Sequence, residues 1–195
     1  MQAPGTWKQQ KCTKQNNAGF SLVELIAVIA IIMILSGSAL LALNSLTSGK
    51  VRKCAQTITD TLKTTKTNAL CKSQAYMEIY YDPGTEEYRV KDFEQRNLSL
   101  GGKQITISYQ CENEAGTTSA AIYTVSDGHP LILSFQRGTG AFRPIITSIS
   151  GSTYTYRTDS SGSNMYCSKI DVTAGTRSRT ITLARATGKV TLNNN

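Results

Sequence analysis

From Leu25 to Leu43 the chain has 19 residues, and 16 of them are Ala, Val, Ile, Leu or Met; only Ser36, Gly37 and Ser38 interrupt the run. As a helix this stretch measures roughly 28 Å, close to the ~30 Å hydrocarbon core of a bilayer. No second run of this kind occurs, so a single membrane crossing is expected. Lys8, Lys11 and Lys14 precede it without any acid. That asymmetry places the N-terminus in the cytoplasm and everything after residue 44 outside.

Charge is distributed unevenly around this segment. The net charge of +8 is made by the leader, by residues 50–72 with six bases and one acid, and by residues 128–195 with eight bases and two acids. Residues 73–127 carry nine acids and four bases. A uniformly basic nucleic-acid binder would not be organised in this way. The single histidine, His129, leaves little room for a zinc site or a Ser-His-Asp triad. His129 reads as a turn residue in Asp127-Gly128-His129-Pro130. Gly138-Thr139-Gly140 lacks the strand-to-helix setting of a dinucleotide fingerprint and reads as a hairpin turn. No catalytic residue, metal ligand or cofactor is expected.

Three arrangements compete for the first 43 residues. An ordinary signal peptide would be cut after Ser38, leaving a secreted β-domain that starts at Ala39. A plain signal anchor would not be cut. A prepilin leader would be cut on the cytoplasmic side of the apolar run. Glu24 separates them. A carboxylate one turn into an apolar helix is costly in a bilayer, by up to about 2.5–3.5 kcal/mol near its centre. Neither a signal peptide nor an anchor gains from it. A subunit that leaves the bilayer for a helical bundle does gain, if a positive partner waits there.

The segment Ala18-Gly19-Phe20-Ser21-Leu22-Val23-Glu24-Leu25-Ile26 resembles the cleavage and methylation motif of type IV prepilins and type II secretion pseudopilins. The resemblance implies that prepilin peptidase, a membrane aspartyl enzyme, cuts between Gly19 and Phe20 and N-methylates Phe20. It also implies that Glu24, fifth in the processed chain, pairs with the N-terminal amine of a neighbouring subunit during pilus assembly. The implied partners are the peptidase, other pilin subunits and the inner or cytoplasmic membrane. The implied location is a single-pass membrane protein that passes into an extracytoplasmic filament. Glycine at position 19 suits this chemistry, because it lets a peptidase approach the backbone.

Beyond the membrane run, Val51, Ala55, Ile58, Leu62 and Ala69 recur at helical spacing, with Thr65 in the missing slot. This is an amphipathic stripe over an expected helix 44–73. The six threonines between Thr57 and Thr67 are poor helix formers, so the helix must depend on packing. The polar stretch Asn44 to Gly49 is a place where the helix could bend. After Ala75 the pattern turns to strands, expected over 76–81, 87–90, 104–109, 120–125, 131–135, 154–157, 165–172, 180–184 and 189–192. The fold class is therefore α+β. A leader (1–19), a transmembrane and assembly helix (20–43) and an amphipathic helix (44–73) precede an antiparallel β head (74–195). The order of these elements, closing with Ile181-Thr182-Leu183 and Gly188-Lys189-Val190, is similar to GspH/FimT-type minor pilins. In that subgroup two sheets cover the helix.

Cys12 lies in the leader, and four cysteines lie outside it: Cys54, Cys71, Cys111 and Cys167. On a continuous helix Cys54 and Cys71 are roughly 25 Å apart, too far for a bridge. Cys111 with Cys167, Cys71 with either of them, or four free thiols all remain open. Gly175-Thr176-Arg177-Ser178-Arg179 places Arg177 and Arg179 in an expected loop. Some FimT-type pilins bind DNA through Gly-Arg-x-Arg. Here Thr176 separates the glycine from Arg177-Ser178-Arg179, so DNA uptake is the second reading and a structural filament subunit is the first.

Overall fold

The computed structural model describes residues 21–72 and 75–194, without the side chains of residues 37–46, 120 and 194. The leader (1–19), Gly19 and Phe20 with it, therefore lies outside the described residues. The chain divides into two compact units, residues 1–42 and 43–195.

In the first unit, α1 (Leu22–Cys71) begins one residue after Ser21. Eleven large apolar side chains between Leu22 and Leu35 are exposed, from 43 % at Ile29 to 74 % at Leu22 and Val23. Ile31 to Leu35 are five consecutive residues, all exposed. At about 100° per residue they occupy the whole circumference, so this stretch is apolar on every side. Among the described residues no helix is long and apolar enough to cross a membrane. The expected membrane-spanning helix over 20–43 is thus described only in part, because the side chains that would complete the run past Ser36 lie outside the described set.

In the second unit the same element is amphipathic. Val51, Ala55, Ile58, Leu62, Thr65 and Ala69 are all buried, as their spacing predicts, and Cys54 joins them. Asn44 to Gly49 is helical, so the polar stretch does not end the element. The threonine hydroxyls are reconciled with burial by donating to carbonyls one turn back: Thr59 to Ala55 O (2.8 Å), Thr61 to Thr57 O (2.9 Å) and Thr57 to Lys53 O (2.9 Å). Thr65 Oγ1 is buried and finds no partner among the described residues.

Among the described residues eleven strands follow: β1 (Tyr76–Asp82), β2 (Glu87–Asp92), β3 (Asn97–Gly102), β4 (Thr106–Glu112), β5 (Thr118–Thr124), β6 (Leu131–Ser134), β7 (Ile146–Ser150), β8 (Thr153–Tyr156), β9 (Tyr166–Ala174), β10 (Arg177–Ala184) and β11 (Lys189–Asn194). They form a six-stranded sheet, β3-β2-β1-β6-β7-β8, and a five-stranded sheet, β11-β10-β9-β4-β5. The strand pairings are antiparallel. All nine expected strands are present, with shifts of a few residues at their ends. β3 and β7 were not expected. β3 is an edge strand with exposed Asn97, Leu98 and Ser99 and a Gly-Gly end, and β7 buries only Ile146 fully, so neither shows a clear period of two.

One hydrophobic core unites the stripe of α1 with inward residues of both sheets, including Ile79, Val90 and Leu133 of one and Ile107, Ile170 and Ile181 of the other. The turn of the β10–β11 hairpin is hydrogen-bonded to the helix. Lys66 Nζ donates to Thr187 O (2.8 Å) and Gly188 O (3.2 Å). Gly188 has φ 58° and packs against Gly140, where any Cβ would overlap the Gly140 carbonyl. Only glycine fits there.

Candidate functional site

The candidate site is the start of α1. Ser21 stands just before the first helical residue, and its Oγ accepts a hydrogen bond from the Glu24 amide (3.2 Å). Its carbonyl accepts the first helical bond, from the Leu25 amide (3.1 Å). Ser21 is therefore the N-cap, and Ser21-Leu22-Val23-Glu24 has the spacing of a capping box. The sequence reading missed this role, although Ser-x-x-Glu before an apolar run signals it. The cap has a consequence for Glu24. Its carboxylate sits in the first turn, where unsatisfied amides and the helix dipole favour a negative charge. Part of the compensation for an acid among apolar residues thus comes from its own helix. The rest must come from outside it, because Glu24 is exposed among exposed Leu22, Val23, Leu25 and Ile26.

The two arginines are placed differently from expectation. Arg177 and Arg179 are not in a loop but in β10, and the turn consists of Gly175 and Thr176. Gly175 takes φ 58°, so it supplies the tight reversal, and the pairing of Arg177 with Ala174 starts the ladder immediately after it. Two residues apart on one strand, the arginines share a face. Arg179 borders a groove with Arg52, Gln56, Asp60 and Lys63 of α1 and with Val190 and Leu192 of β11. Arg185 does not belong to this patch. It donates to Asn113 O (3.1 Å) and Glu114 O (3.0 Å) and lies over the Tyr166 ring at 4.7 Å, which fixes the turn before β5.

The four cysteines of the described chain are free thiols. Cys54 is buried on α1, and burial pushes its thiol up to about 12. Cys71 is exposed at the helix end. Cys111 on β4 and Cys167 on β9 are both buried and stand directly opposite each other in register. Burial raises Cys111 to about 11 and holds Cys167 well above the ordinary thiol range. His129 closes a turn, as expected, with its amide donating to Ser126 O (3.0 Å). Among the described residues no three His, Cys, Asp or Glu side chains gather in a way that could hold a metal ion.

Residues 14–40 match the family model of the prokaryotic N-terminal methylation motif. The matched segment contains Gly19, Phe20, the cap Ser21, Glu24 and most of the apolar run. It supports a type IV prepilin-like protein. No curated protein sequence and no solved structure matches the chain.

Proposed function

We propose that the chain is a structural subunit, and not an enzyme, of a type IV pilus or a type II secretion-like filament. Within that class it is a minor pilin or pseudopilin, cleaved between Gly19 and Phe20 by prepilin peptidase and N-methylated on Phe20. The observation that carries the reading is the stretch of α1 from Leu25 to Leu35, apolar on every side and exposed along its whole length. Such a surface is not stable in water, since a helix that is hydrophobic all round needs lipid or other helices around it. A prepilin meets both in turn: first the bilayer, in a single crossing with a cytoplasmic N-terminus, then the packed helices of a filament. Lipid is already apolar, so the transfer is driven by helix packing and by polar pairing, not by escape from water.

Glu24 supplies the polar pairing. Cleavage frees an ammonium on Phe20, four residues before Glu24, and a neighbouring subunit presents the same group. In a low-dielectric bundle an unpaired carboxylate is strongly disfavoured, and a paired one fixes the register of two helices. The minor-subunit part of the reading is supported by the two sheets that share one core with α1, the arrangement implied by the GspH/FimT resemblance.

The test is mass spectrometry of the protein made in a host that carries a prepilin peptidase and a pilus or secretion assembly. The expected mature chain begins with N-methylated Phe20. A chain that retains its leader, or one that starts at Ala39, overturns the proposal. In the same host Glu24→Ala is expected to be inserted and cleaved normally, and to enter filaments at least about tenfold less than the parent.

A further inference from the structure

The ladder between β4 and β9 holds an irregularity with a chemical consequence. Tyr109 opposes Ile170 and Gln110 opposes Lys169, but the next pair is Cys111 with Cys167. Ser168 is left without an opposite residue, as the extra residue of a β-bulge. Without it, Cys111 would oppose Ser168, whose neighbour Cys167 would face away. The bulge restores the phase and brings both cysteines to the core side, where they are 0 % and 2 % exposed. Opposite residues of an antiparallel pair have Cα atoms about 4.5–5.5 Å apart. A disulfide needs about 4.4–6.8 Å, with the two Cβ atoms on the same side. The other two thiols among the described residues have no such arrangement. Cys54 and Cys71 share one helix and are separated by almost five turns, and Cys71 is exposed while Cys111 and Cys167 are enclosed.

We propose that Cys111 and Cys167 are a disulfide-forming pair, and that the thiol state seen here is the reduced partner of a cross-strand bond between β4 and β9. The oxidant is a protein or small-molecule disulfide. One cysteine thiolate attacks a sulfur of the donor, forms a mixed disulfide and releases the first donor thiol. The second cysteine thiolate then attacks the protein sulfur of the mixed disulfide, closes the Cys111–Cys167 bond and releases the second donor thiol. The pair loses two electrons and two protons, and the donor gains them. Both thiols are enclosed once the sheet has formed, and burial disfavours the thiolate of each. The exchange therefore takes place while the head folds. The bond closes a loop around residues 112–166, which contain β5 and also β6, β7 and β8 of the other sheet. It fastens both ends of the excursion from one sheet to the other.

In a cell this step rests on the export proposed above, which brings the head to a compartment where such a donor exists. The bond itself is tested in vitro, so its failure leaves the filament reading intact. The full chain is purified in detergent, unfolded, and refolded in a mixture of oxidised and reduced glutathione. It is then acid-quenched, alkylated in denaturant without reductant and digested for mass spectrometry. The expected product is one peptide pair that links Cys111 to Cys167, with Cys12, Cys54 and Cys71 alkylated. On reduction the thermal midpoint of the head is expected to fall by roughly 10 °C, from the loop-closure effect and the size of the chain. A Cys12→Ala/Cys54→Ala/Cys71→Ala chain retains only the pair and must still form the bond. Five alkylated cysteines in the parent, a bond that involves Cys71, or free thiols in the triple variant would each overturn the proposal.

Discussion

Two stretches of α1 use the same secondary structure for opposite ends. Between Leu25 and Leu35 every side of the helix is apolar, and its large side chains are exposed. Between Val51 and Ala69 one stripe is apolar and is enclosed at 0–3 % exposure, while Lys53, Lys63 and Thr67 stay in solvent. The second stretch finds its partners within its own chain, in the two sheets. The first leaves its large apolar side chains exposed and must find cover for them elsewhere. Helix propensity does not separate the two, since β-branched residues are abundant in both. What separates them is whether the apolar side chains recur every three to four positions or occupy all of them.

This contrast can be broken by substitution. The largest effect is expected in the enclosed stretch. Leu62→Ala leaves a cavity at a site with 0 % exposure and should destabilise the head by about 2–5 kcal/mol. Ile32→Ala, the matched change in the exposed stretch, should alter head stability by less than about 0.5 kcal/mol. Urea titration of the full chain in detergent, followed by near-ultraviolet circular dichroism of the head tyrosines, measures both. Equal effects would mean that the two stretches are not packed differently. A smaller effect is expected at the cap. Ser21→Ala removes the acceptor of the Glu24 amide and should cost about 1 kcal/mol. Hydrogen exchange at Glu24 should then be roughly fivefold faster, with the urea midpoint of the head unchanged. An unchanged exchange rate would show that Ser21 does not cap the helix.

A further dependence is on pH, and it is confined to the alkaline range. The thiol of Cys54 titrates near 9 in an ordinary setting and at about 12 when buried. The folded state therefore holds this proton more tightly. Its contribution is fully present below about pH 9 and is lost as pH rises toward 12. Urea titrations at pH 7 and 8.5 should agree, and stability should decline from pH 9 to 11. The decline should be shallower in Cys54→Ala. An identical slope in that variant would place the alkaline sensitivity at other groups.

Periodicity made the stripe of α1 and nine strands legible, because Ile58, Leu62, Ile107 and Ile170 are apolar for the reason that they are enclosed. It failed where burial is partial. Leu98 on edge strand β3 is 47 % exposed, and Ser148 and Ser150 of β7 face solvent, so neither strand alternates clearly. The expected loop around Arg177 was wrong because two residues, Gly175 and Thr176, suffice to reverse the chain at φ 58°. Glu24 was read as an acid that requires an outside partner. The structure adds that its own N-terminal turn contributes to holding it, a local effect that hydropathy does not register. Cys111 with Cys167 was one of several open pairings, and sequence could not choose it, since their opposition depends on a bulge at Ser168 and on two strands separated by 53 residues of chain.

The Lys66 contact with Thr187 and Gly188 joins residues 121 and 122 positions apart. Strand order tells the same story, because β4 waits for β9 as its inner neighbour. A ribosome that has delivered the helix and the first hairpins has therefore made an ammonium group without its acceptors and a sheet with its middle missing. The head is assembled from early pieces but locked by late ones, and a polypeptide of this design has nothing to close around until its last strands are made.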